Sequence, residues 1–179
     1  MDRTHGTSTL AVFLSALCIL SSGWLSPASA MDFKAVKFTY YLHDSFVPPN
    51  VTVVVVAGAN ATLTGVPTLG DISVFDSILK ETASNASAQI GHSSGELVSL
   101  SDPAQNFITF VQEITILGYS GTISASARFN FTALSWEVGV SSGTGSFRGA
   151  MGYFRVTIVS LDPSFPVIKY EANLILPRH

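Results

Sequence analysis

The chain has 179 residues, nine Lys and Arg against twelve Asp and Glu, and a formal net charge of −3. Only 12% of residues are charged and 47% are hydrophobic. No basic stripe is present, which excludes a nucleic-acid binder. No Gly-rich phosphate loop occurs, and His43, His92 and His179 are scattered, so neither a cofactor nor a metal site is expected.

The first segment reads as a secretory leader. Asp2, Arg3 and His5 precede an apolar run from Leu10 to Leu20, and Ala28-Ser29-Ala30 has the small-x-small form of a cleavage site. The run is too short to span a bilayer. Residues 1–30 are therefore expected to be removed, leaving one domain over 31–179 and an extracellular protein. The remainder has no second long apolar run and no amphipathic helix, so no membrane role is expected. Four glycan acceptors follow: Asn50-Val-Thr52, Asn60-Ala-Thr62, Asn85-Ala-Ser87 and Asn130-Phe-Thr132. Cys18, the single cysteine, falls in the leader, so the mature domain must be held by burial without a disulfide. About 150 residues suffice for that.

Period-2 alternation dominates what remains. From Val36 to Asp44 the even positions Val36, Phe38, Tyr40 and Leu42 are large and apolar, and Asp44 shares their face at the far end. His43 has the opposite parity and is expected to face outward. Further strands are read at Thr52–Ala57, Leu69–Phe75, Gln89–Leu100 and Phe107–Leu117. From Ile123 to Phe131 apolar odd positions alternate with polar even ones, which puts Asn130 on the polar face. Leu134–Val140, Gly152–Ser160 and Tyr170–Leu176 complete the set. Turn residues such as Pro48-Pro49-Asn50, Ser101-Asp102-Pro103 and Ser142 to Gly145 separate them. Many strands without a convincing helix give an all-β sandwich or barrel, and closure would remove exposed edges, favouring the barrel.

Several segments together resemble the plant dirigent family across nearly the whole mature region. They are Phe38 to Asp44, Pro49 to Thr52, Phe75-Asp76-Ser77-Ile78-Leu79, Ile90 to Gly95, Tyr119 to Ile123, and Gly143-Thr-Gly145-Ser-Phe147-Arg148 on to Tyr153. The resemblance implies an eight-stranded antiparallel β-barrel, a homo-oligomer (dimer or trimer) exported to the apoplast, similar in fold to allene oxide cyclases. It implies a stereodirecting role in lignan and phenylpropanoid biosynthesis without oxidase activity: an external laccase or peroxidase makes a phenoxy radical from a monolignol, and the barrel orients two radicals for coupling. Some members instead close a ring on a quinone methide with acidic residues.

On this resemblance Asp44 corresponds to the aspartate of the His-Asp motif and is the candidate acid, and Phe38, Tyr40, Leu42, Leu97, Ser99, Phe129, Trp136 and Ile158 are the candidate substrate-binding residues. Desolvation would favour the neutral form of Asp44, able to give a hydrogen bond or proton to a quinone methide oxygen. Departures from the family pattern make the pocket more apolar. Phe129 stands where a second aspartate is usual, Trp136 where an arginine is, Leu97 and Ser99 where tyrosines are, and Ile158 where a threonine is. Asp76 matches part of an acidic pair, with Ser77 at the second position. Besides radical coupling, two other functions fit: an isomerase or cyclase acting without an oxidant, and a non-catalytic cell-wall or defence binding protein.

Overall fold

The alternation of β1 (Phe33–His43) fixes one wall of a closed barrel: Val36, Phe38, Tyr40 and Leu42 are buried, while Lys37 and Thr39 between them are exposed. The computed structural model describes residues 32–58, 67–162 and 164–178. The expected leader over 1–30 and the acceptor Asn60 lie outside the described residues. The other strands are β2 (Val53–Ala57), β3 (Ile72–Lys80), β4 (Gln89–Ser99), β5 (Gln105–Ile116), β6 (Tyr119–Asn130), β7 (Ser135–Gly143), β8 (Met151–Ser160) and β9 (Val167–Pro177). All neighbours are antiparallel, in the order β1-β9-β8-β7-β6-β5-β4-β3, and β1 returns to β3 to complete an eight-stranded barrel. The ninth strand, β2, pairs with β3 as well.

The closing contact is short. Tyr41, Leu42 and His43 pair with Lys80, Leu79 and Ile78. β4 occupies the other edge of β3 along its whole length, so β1 and β2 share one edge, β2 taking Ile72–Phe75. The chain leaves the barrel wall at Asp44, makes an excursion through a cis Pro48–Pro49 peptide, and rejoins the same edge at Val53. At the base of this loop Thr52 N–H donates to Ser45 O at 2.8 Å and joins its two ends, while Asp76 N–H donates to Thr52 O at 2.9 Å and ties the returning end to β3.

Two strand readings shift. β3 begins three residues later than Leu69 and runs past Phe75 to Lys80; Leu69 itself is an exposed turn residue. The polar pair Asp76-Ser77 hides the continuation, although Phe75, Ser77 and Leu79 keep the inward parity. β7 runs to Gly143 rather than Val140, with its register to β6 shifting beside Ala125.

Aromatic rings fill the middle of the barrel. Tyr40 and Tyr170 are cross-strand partners and stack at 5.5 Å, with Phe110 and Phe154 edge-on to Tyr170 at 5.9 and 5.8 Å. At the lower end a single 3-10 turn (Gly145–Phe147) drives Phe147 inward, where it packs on Phe38 and Tyr119. Glycine is required for this turn. Gly145 has φ +58°, and a Cβ on Gly143 would sit 2.3 Å from the Phe147 carbonyl oxygen. The Gly-x-Gly-x-Phe segment is thus a structural stopper.

Truncating Phe147 to alanine should lower unfolding stability by about 3–5 kcal/mol in a denaturant titration. Leu134→Ala, at a residue 78% exposed, should change it by less than about 0.5 kcal/mol.

Candidate functional site

Asp44 is placed by the closure itself, as the first residue beyond β1, with its N–H donating to Pro166 O at 3.1 Å. Its Oδ1 accepts two hydrogen bonds, one from Thr52 Oγ1 at 3.1 Å across the loop base and one from the Ser77 hydroxyl on β3. Both donors converge on the same oxygen. Burial raises the Asp44 carboxyl above its ordinary value, with the bonds from Ser77 and Thr52 only partly opposing it.

Around Asp44 the inward residues of the upper strand ends form a mouth. Leu42, Ile168 and Ile158 lie in one cross-strand row. Tyr40, Tyr170, Val156 and Trp136 form the next. Trp136 stacks on Phe129 at 4.6 Å with ring planes 19° apart, and its indole N–H, buried, has no protein partner. Phe129 pairs with Asn106, and Asn106 with Ser99, whose hydroxyl donates to Asn106 Oδ1 at 3.3 Å. Leu97 and Phe75, half-buried, complete the circuit. The barrel thus brings Asp44, Leu42, Leu97, Ser99, Phe129, Trp136 and Ile158 to one end. Phe38 and Tyr40 lie deeper, in the aromatic cluster that forms the floor. Phe129 and Trp136 close part of the wall with their own stack, so the mouth is narrowed by apolar surface.

The phenols on that floor stay protonated. Burial raises both Tyr40 and Tyr170; the charge of Asp44 adds to the rise at Tyr170, and Tyr170 adds to it at Tyr40. His43 departs from its expected outward position. Its parity does turn it from the lumen, but it is buried under the neighbouring loops, with Nε2 3.0 Å from Thr82 O and its ring edge-on to Phe165 at 5.1 Å. Burial lowers its pKa, so it stays neutral. Asp76 faces outward in mid-strand and accepts a bond from Ser94 Oγ at 2.7 Å. Asn50 and Asn85 are exposed, whereas Asn130 is half-buried and accepts from both Thr132 N–H and Oγ1, at 2.8 and 2.7 Å.

Sequence reasoning missed Ser77 and Thr52 as partners of Asp44, and Tyr170 as the floor beneath it. The parity of β3, carried past Asp76, would have found Ser77. A separate groove of about 430 Å³ lies between Lys37, Thr39, Glu137, Arg155 and Glu171. It opens on the outer wall, away from the mouth. Among the described residues no group of three or more His, Cys, Asp or Glu converges as a metal site would.

Because burial raises the Asp44 pKa in the folded state, the native protein holds a proton that the unfolded chain releases. Stability is therefore lost as pH rises from the ordinary aspartate value, 3.8, through the raised folded value, and stays lower above it. Asp44→Asn keeps an oxygen able to accept from Ser77 and Thr52 and carries no charge. The difference in urea midpoint between variant and wild type should move in favour of the variant across that window; a constant difference would contradict the raised pKa.

The dirigent-like family model matches residues 35–175. Dirigent protein 15 of Arabidopsis thaliana is 26% identical over 193 aligned positions, covering 93% of this chain and 97% of that one. Among solved structures, the pterocarpan synthase dirigent protein GePTS1 superposes with a TM-score of 0.75 at 19% identity, covering 99% of this chain and all of the other. The exo-specific intermolecular Diels-Alderase AbnU shares the fold more distantly, with a TM-score of 0.56 at 14% identity over 80% of this chain and 98% of the other. With a family model spanning every strand from β1 to β9, the chain belongs to the dirigent family.

Proposed function

We propose that this protein steers the coupling of phenoxy radicals derived from monolignols, radicals that an external laccase or peroxidase supplies. The observation that carries the reading is the mouth: apolar and aromatic walls over an aromatic floor, with one carboxyl that burial biases toward its neutral form. Flat, weakly polar rings suit such walls, and a neutral acid gives a directional hydrogen bond to a phenolic oxygen without a charge to desolvate. Holding two rings in one relative orientation makes their coupling effectively intramolecular. About 1.4 kcal/mol between the two facial approaches yields a tenfold bias.

The same reading takes the protein to be exported to the apoplast as a glycoprotein, with glycans on Asn50, Asn60, Asn85 and Asn130, and to act as a homo-oligomer. Purified protein added to coniferyl alcohol with a one-electron oxidant should give dimers in enantiomeric excess. Racemic product from coniferyl alcohol and from other monolignols alike would reject the proposal.

A second reading is favoured by the raised Asp44 pKa: an oxidant-independent cyclase that protonates a quinone methide oxygen. Solved relatives are named pterocarpan synthases, which fits that class of activity. The two readings separate on one variant. Asp44→Asn should abolish turnover of a quinone methide, leaving binding intact, if the carboxyl donates a proton. In radical coupling the same variant should retain part of the stereochemical bias, because the apolar walls remain.

A further inference from the structure

Beneath the mouth, three polar residues on adjacent strands face the lumen in one cross-strand row. Ser77 on β3 pairs with Ser93 on β4, and Ser93 with Gln112 on β5. All three are 0% exposed. The ends of the row are anchored. Ser77 donates to Asp44, and the Gln112 carboxamide oxygen accepts the Tyr40 hydroxyl proton. Between these anchors, Ser93 Oγ and Gln112 Nε2 have no protein partner. Turning the amide over would exchange which of its atoms is spare without using it.

Two adjacent spare polar atoms in an apolar core are costly when dry, and a water that finds two to four polar partners removes that cost. We propose that Ser93 and Gln112 wall a buried hydration site for a single water, which joins the Asp44–Ser77 pair to the Gln112–Tyr40 pair in one hydrogen-bonded chain. The water accepts from the Gln112 amide, bonds the Ser93 hydroxyl, and donates to the free lone pair of Ser77 Oγ. With its acceptor side occupied, the Ser77 hydroxyl keeps its hydrogen on Asp44 Oδ1. Ser93 and Gln112 are thereby positioning residues for the Asp44 carboxyl. The other buried side-chain atoms without a partner among the described residues, His43 Nδ1 and Trp136 Nε1, lie apart from this row. The titratable groups on the inner faces around it are Asp44, Tyr40 and Tyr170; His43 is on the outer side of β1.

The hydration site is independent of the activity, whereas its chemical consequence rests on the reading of Asp44 given above. A crystal structure of the protein without ligand should show one ordered water within hydrogen-bond distance of Ser93 Oγ and the Gln112 amide. A dry contact, or direct pairing of those two atoms with protein groups, would overturn the site. Ser93→Val should displace the water and free the Ser77 hydroxyl. The Asp44 carboxyl titration, followed by carbon NMR, should then move upward, since a bond favouring the charged form is weakened. An unmoved midpoint with the water gone would overturn the positioning role. Ser93→Ala, which adds no bulk, keeps the test open if the valine variant fails to fold: it removes one of the water's partners, and an Asp44 midpoint unmoved there would likewise overturn the positioning role. Neither measurement uses a substrate, so a protein that steers no coupling at all could still pass both.

Discussion

Closure of the barrel rests on three residue pairs between β1 and β3, and the chemistry of the mouth follows from how brief that seam is. A full-length β1–β3 ladder would have carried the chain straight past Asp44 as one more strand residue. Instead β1 lets go after His43, and β2 takes over the remaining edge of β3. A carboxyl on the first residue beyond the ladder, a hydroxyl on the last residue of the returning loop and a second hydroxyl on the buried inner side of β3 then meet at one oxygen atom of that carboxyl.

Most of the lumen is apolar. A packed aromatic cluster stoppered by Phe147 fills its lower part, the polar row of Ser77, Ser93 and Gln112 crosses it, and its upper rim is half-buried apolar surface interrupted by Asp44. Within such surroundings burial raises the pKa of the carboxyl and of both phenols, because either anion would be poorly solvated. The two effects reinforce each other, since the Asp44 charge would further disfavour ionising Tyr170. Phe129 and Trp136, stacked on each other at 4.6 Å, make that part of the wall apolar.

Much of this was legible in the residues. Alternation in β1 and β6 located the inner faces and put Asp44 among them, because a strand's parity survives any tertiary context that keeps it paired. The family resemblance added the strand count and placed Phe129, Trp136, Leu97, Ser99 and Ile158 at one end. Less legible was anything set by the closing register. Ser77 looked like a substituted acid rather than a partner, since its distance to Asp44 depends on β1 meeting β3 antiparallel at Leu42 and Leu79. His43 read as outward because parity reports which side of a sheet a residue takes, not what loop later covers that side. Gln112 and Ser93 gave no signal, as polar residues at inward positions are indistinguishable from pattern breaks until their neighbours are known.

The loop that carries Asn50 also carries the hydroxyl that binds Asp44. In the finished barrel Thr52 Oγ1 is engaged with that carboxyl and with the Ser45 N–H at 2.9 Å, yet an Asn-x-Thr acceptor is defined by that same threonine. Thr132 repeats the pattern, its hydroxyl donating to Asn130 itself. If Asn50 is glycosylated, sugar transfer and strand closure would draw on the same hydroxyl, and the transfer would have to precede closure of the seam. Order of events during biogenesis, more than surface accessibility of the mature fold, would decide whether that asparagine is modified.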